Sequence, residues 1–153
     1  MVDFFDEIHV AQERLREGVL LGAVADELEG LFATVIGEEK HLGLAYRAAE
    51  SETDVRFIIE TPHGKIGATV EHSLIDGGLV GNFRFWRLIN GKVPDQAAEE
   101  VWSFVFDSSY RATRDPSRKF AWHFNGSGPL PTRGVYQMLL LIVAKYQQKM
   151  RTF

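Results

Sequence analysis

The sequence predicts an α+β fold: helices at the N-terminus, an antiparallel sheet, an inserted helix, and a long C-terminal helix packed on one face of the sheet. Three observations carry this prediction. Residues 132–149, TRGVYQMLLLIVAKYQQK, read as a helix whose middle, Met138 to Ala144, is apolar on every side, and helices of that kind are buried by other elements. Two turn signals, Thr61-Pro62-His63-Gly64 and Gly77-Gly78, join three alternating segments into a meander with one consistent apolar face. Leu20, Leu21, Val24, Leu28, Leu31, Phe32, Val35 and Ile36 repeat at helical spacing, with Asp26, Glu27 and Glu29 outside.

From the N-terminus, residues 3–16 place Phe4, Phe5, Ile8 and Leu15 on roughly one face of a helix that Gly18 interrupts. The amphipathic helix that follows ends at Gly37. Leu42, Leu44 and Tyr46 alternate along a strand over residues 42–49. In the first hairpin Glu60 faces Lys65, which sets Ile59 on Ile66, Phe57 on Ala68 and Val55 on Val70, all on the inner face. In the second, Val70 faces Phe85 and His72 faces Phe83 on that same face, while Glu71 meets Arg84 and Thr69 meets Trp86 on the other.

Asn90-Gly91 closes the meander, and Asp95 caps a helix over residues 95–107. Its polar stripe runs Gln96, Glu99, Glu100, Ser103 and Asp107, with Ala98, Val101, Trp102, Val105 and Phe106 opposite. A strand over 101–106 competes, because VWSFVF is rich in β formers. Residues 110–114 and 119–124 read as strands around an Asp115-Pro116-Ser117-Arg118 turn. Pro129 and Pro131 keep the chain extended up to Thr132, whose hydroxyl caps the last helix. Val135, Met138, Leu139, Ile142, Val143 and Tyr146 form the buried face of that helix, and Leu141 interrupts its polar side.

A length of 153 residues predicts a single globular domain, residues 1–153. The absence of cysteine removes disulfides and thiolate metal sites. The seven apolar residues of the last helix fall far short of the roughly 20 that span a bilayer, so no membrane partner is expected. The acidic start MVDFFDEIHV lacks the base of a secretory signal, which predicts a cytoplasmic location. Residues 1–60 hold 14 acids and 5 bases, and residues 61–153 hold 7 acids and 12 bases. Two halves of opposite charge attract within one fold, or offer faces to different partners.

The candidate chemistry is sparse. No HExxH, nucleophile elbow or Walker loop is present, so no catalytic residue, metal ligand or cofactor is assigned. His63 belongs to a turn and His72 to a strand, which does not make a metal pair. Asn125-Gly126-Ser127-Gly128 before a helix has the form of an anion cradle with Arg133 beside it, but Pro129 and Pro131 each remove a donor. Arg111, Arg114, Arg118 and Lys119 gather at one turn; overall acidity and the lack of a DNA-binding motif argue against nucleic acid.

Two function classes lead, and anion or nucleic-acid binding through the basic second half is a weaker third. The first is a non-enzymatic domain that binds another protein or its own copy, as inhibitors, immunity proteins, chaperones and adaptors do. Its contact residues would be Arg56, Arg84, Trp86, Leu88 and Leu141, since a tryptophan flanked by arginines has the composition of a binding hot spot. The second is a small-ligand domain or enzyme with a pocket between the sheet and the C-terminal helix, where His72, Arg87 and Arg133 would supply the polar groups.

Overall fold

The computed structural model describes residues 3–49, 55–88, 99–115, 122–124 and 129–153. The fold is α+β. A long N-terminal helix, α1 (Phe4–Glu38), leads through a 3₁₀ turn (Lys40–Leu42) into the sheet. The strands are β1 (Ala45–Ala48), β2 (Phe57–Thr61), β3 (Gly64–Ile75), β4 (Gly78–Arg87), β5 (Glu99–Phe106), β6 (Arg111–Thr113) and β7 (Trp122–His123), and α2 (Pro129–Gln148) follows. Among the described residues these seven strands form one antiparallel sheet in chain order, curled into a half-barrel.

The first hairpin has the expected register: Glu60 pairs with Lys65, Ile59 with Ile66 and Phe57 with Ala68. Thr61 pairs with Gly64, so Pro62 and His63 form the loop, and the Thr61 hydroxyl closes it by donating to the Gly64 carbonyl at 2.8 Å. Val55 departs from the expected alignment. It precedes β2 and packs outside, against Ile58 and Leu88. Gly67 makes room for it, since a Cβ there would come within 2.9 Å of Val55 and 3.0 Å of Leu88.

The second hairpin is shifted by two residues from the expected pairing. Val70 pairs with Phe83, His72 with Gly81, Thr69 with Arg84 and Ala68 with Phe85. The turn is Asp76-Gly77 rather than Gly77-Gly78, with φ of 50° and 81°, the doubly left-handed geometry that a tight hairpin favours. Because side chains alternate with a period of two, this shift leaves every residue on its expected face.

Residues 99–106 form β5, not a helix. Trp102, Phe104 and Phe106 line the inner face beside Phe83 and Phe85, with ring centroids 5.4–6.2 Å apart across the two strands. A β-bulge between Phe85 and Trp86 breaks the register: Phe85 pairs with Trp102, but Trp86 pairs with Glu100. Val101 is the extra residue and enters the core, while Glu100 is turned to the outer face.

The helices differ from expectation in their limits. Gly18 and Gly37 lie inside α1, which runs unbroken. The left-handed glycine is Gly43, with φ of 77°, after the 3₁₀ turn. The α2 helix begins at Pro129, so Thr132 sits in its first turn rather than capping it. The first turn tolerates proline because its amides have no helical acceptor. The Asn90-Gly91, Asp95, Pro116–Lys119 and Asn125–Gly128 segments lie outside the described residues.

Both helices fill the concave face of the sheet. Leu21, Val24, Ala25, Leu28, Phe32, Val35 and Ile36 of α1 join Val135, Met138, Leu139, Ile142 and Tyr146 of α2 in one core with Phe57, Ile59, Ile66, Phe83, Phe85 and Phe104. Phe32 is fully buried, with its ring 5.6 Å from Phe57 and 5.8 Å from Phe85. Two tyrosines grip α1 from opposite ends of the sheet. The Tyr46 hydroxyl donates to Glu29 at 2.6 Å, and the Tyr110 hydroxyl donates to Glu27 at 3.2 Å.

Candidate functional site

The outer face of the meander carries the first set of sequence candidates, and most of them serve the fold. The Arg84 guanidinium forks onto Glu100, at 2.8 and 3.3 Å, reaches Glu71 at 3.3 Å, and lies 4.4 Å over the Trp86 ring. The bonds to Glu100, followed by its charge and that of Glu71, hold the Arg84 pKa above its already high ordinary value. The Trp86 indole donates to the Thr69 hydroxyl at 2.8 Å. Trp86 is half-buried and packs on a small outer cluster of Val55, Ile58 and Leu88. Leu88 is buried there, so it presents no surface.

Arg56 lies elsewhere. A bend before β2 turns it toward α1, where it contacts Asp26 and reaches Glu29 at 3.3 Å, beside Tyr46. The Tyr46 hydroxyl is pushed up to about 12, by burial first and by the Glu29 carboxylate second. Tyr110 is raised as well, by desolvation and by Glu27. Leu141 is half-buried on α2, and its neighbour Leu140 is 39% exposed.

The second set of candidates is not gathered into one place. The space between sheet and helices is occupied by the aromatic core around Phe32. His72 does lie on the concave side of β3, but beyond the end of that core, and it is exposed. Arg87 lies over Tyr146 at 5.8 Å and donates to the Lys149 carbonyl at 3.2 Å, capping the negative end of α2. Arg133 is exposed at the other end of α2, beside a shallow cleft of about 240 Å³ with Glu38, Glu39 and Tyr136. A larger open cleft of about 470 Å³ runs along β5 between Glu100, Trp102, Arg114 and Lys145. Among the described residues no group of three His, Asp or Glu side chains is placed to hold a metal ion, and no helix is long and apolar enough to cross a membrane.

The feature that sequence reasoning missed is the first half of α1. Every buried residue of this helix lies at Leu21 or beyond. Its first 17 residues span about 25 Å. Along them Phe4, Phe5, Leu15 and Val19 are 66%, 74%, 73% and 75% exposed, and Ile8 is 42% exposed. This stripe does not continue the core face. Leu15 and Leu28 are thirteen residues apart, which rotates one roughly 140° away from the other around the helix. On the arm, the line that would extend the core face carries Asp3, Glu7, Arg14 and Glu17, with Val10, 41% exposed, as its one large apolar residue. The apolar side therefore changes near Gly18, where the helix passes the His72 side chain of β3. A Cβ on Gly18 would lie 3.2 Å from the His72 ring. Two residues further along β3, Leu74 is also exposed.

The signal was available in the spacing. Phe5, Ile8, Gln12, Leu15 and Val19 follow steps of three, four, three and four, the pattern of a helix that packs against another helix. Comparison of the chain with protein-family models, with curated proteins and with solved structures gives no match.

Proposed function

We propose that this chain is a protein-binding module whose docking element is the first half of α1. The observation that carries the reading is the stripe of Phe4, Phe5, Ile8, Leu15 and Val19, exposed on a helix whose opposite side begins to enter the core only at Leu21. Contiguous apolar surface of this kind is costly in water and marks interaction sites. An isolated helix of this length is also marginal by itself, so a partner along it would stabilise the helix as well as cover it. The outer face with Arg84 and Trp86 supports the reading less, because its charges and its indole are already paired within the chain.

A photo-crosslinking residue placed at Gln12, which leaves the apolar side chains intact, tests the reading in the native cell. The expected result is a discrete adduct at position 12, and none from the same group at the exposed Thr34. Absence of an adduct at position 12 under conditions where the protein is soluble and abundant overturns the proposal.

A further inference from the structure

We infer that the occupant of this helical arm is a second copy of the chain, joined as an antiparallel helix pair with its two-fold axis at Gln12. The inference rests on the docking role of the arm. It adds what docks there and how.

Three observations support a second copy. The stripe is nearly symmetric about Gln12: Leu15 and Val19 lie three and seven residues after it, and Ile8 and Phe5 lie four and seven before it. An antiparallel copy therefore sets Val19 against Phe5 and Gln12 against itself, with Leu15 beside Ile8 one residue out of level, so that apolar side chains meet on both sides of the central glutamine. A two-fold interface demands this kind of self-complementarity. The Gln12 amides can donate to and accept from each other, and a single polar residue in an apolar seam fixes register.

Second, the position of the axis fits the shape of the molecule. Gln12 is the midpoint of the free arm, between the start of α1 at Phe4 and the first buried residue at Leu21. Each arm then ends where the body of the other copy begins. Ala11 lies on one flank of the seam, and its small side chain lets the backbones approach closely.

Third, the area is right. Phe5, Ile8, Leu15 and Val19, each offering on the order of 100 Å², give about 400 Å² of apolar surface per copy. Interfaces are a little over half apolar, so this corresponds to about 700 Å² per partner, within the range of a stable association.

The absence of cysteine makes the test direct. Sedimentation of the full chain over a wide concentration range is expected to show a 34.6 kDa species, twice the 17.3 kDa chain. Leu15→Glu and Val19→Glu should each raise the dissociation constant at least tenfold, with the circular-dichroism spectrum of the body retained. Under mild oxidation Gln12→Cys should link to itself. Ile8→Cys should link to Leu15→Cys when the two are mixed, and neither should link to itself. Self-linking at Leu15→Cys without linking at Gln12→Cys overturns the antiparallel pairing. A 17.3 kDa mass at every concentration overturns the second copy altogether. If crosslinking at Gln12 still captures a different protein in that case, the docking role stands and only the occupant is wrong. If it captures nothing, both fall.

Discussion

Replacing Gly81 by alanine adds one methyl group, and the structure gives that group no room. Gly81 sits on the inner face of β4, directly across from Phe106 of β5. A Cβ at this position would lie 2.1 Å from Phe106 Cζ and 2.5 and 2.6 Å from its two neighbours in the ring. Carbon atoms in contact sit about 3.5–4.0 Å apart, so the ring would have to retreat by more than 1 Å. It cannot do so freely, because Phe106 is fully buried with Phe83 at 5.5 Å and Phe104 at 6.5 Å. Forcing a methyl into such a site costs about 1–3 kcal/mol. Against this stands a gain of about 0.4–1 kcal/mol from restricting the unfolded chain. The overlap wins, and the net loss should be about 1.3 kcal/mol, or roughly 3–5 °C in Tm for a chain of this size.

The internal control is Gly30→Ala. Gly30 is exposed in the middle of α1, and a Cβ there meets nothing within 4 Å. The same chemical change should raise stability by about 1 kcal/mol, through helix propensity alone. Urea unfolding of both variants, followed by circular dichroism, measures the pair. Opposite signs are the expected result. A Gly81→Ala midpoint within experimental scatter of the parent would refute the reasoning, since it would mean the ring does not rest on the glycine.

Three further outcomes follow from the same contacts. Trp86→Ala should lower stability by about 2 kcal/mol, because the half-buried ring covers Val55, Ile58 and Leu88; an unchanged urea midpoint would remove that account. Arg84→Lys keeps the charge but loses the fork onto Glu100, and should cost about 0.5–1 kcal/mol, shrinking as salt is added. Tyr46 should ionise near pH 12 in an ultraviolet titration, and that step should vanish in Tyr46→Phe. Its folded pKa lies above the unfolded value of 10.0, so its contribution to stability is complete below pH 10 and is lost as pH rises through about 12.

The inner face of the sheet was legible because two hairpins agreed on it. Even the two-residue shift at Asp76-Gly77 did not disturb that agreement, since alternation depends on parity and not on the exact partner. Residues 99–106 were misread because Glu99, Glu100 and Ser103 happen to repeat at helical spacing, while the decisive fact lies outside the segment. Phe83 and Phe85 on the neighbouring strand supply the rings against which Trp102 and Phe104 stack. Local spacing carries no record of such a neighbour.

The candidate site was half legible. The spacing puts Phe4, Phe5, Ile8 and Leu15 on one helical face, but Gly18 reads as a break, and that break hides the change of side. Glycine costs a helix only about 1 kcal/mol, and here the packing of residues 21–36 holds the helix through it. Arg84 and Trp86 resembled a hot spot because composition alone does not reveal that Glu100 is turned toward them by the bulge at Val101.

Because α1 is a single 35-residue rod, its two halves share one lever. Tyr46 on Glu29 and Tyr110 on Glu27 brace the inboard end from both sides, and Gly18 against His72 forms the fulcrum. With an outboard span of about 20 Å, a tilt of roughly 10° at the fulcrum swings the tip by about 4 Å. Loosening either phenol would therefore be felt first at Phe4 and Phe5, far from the altered bond.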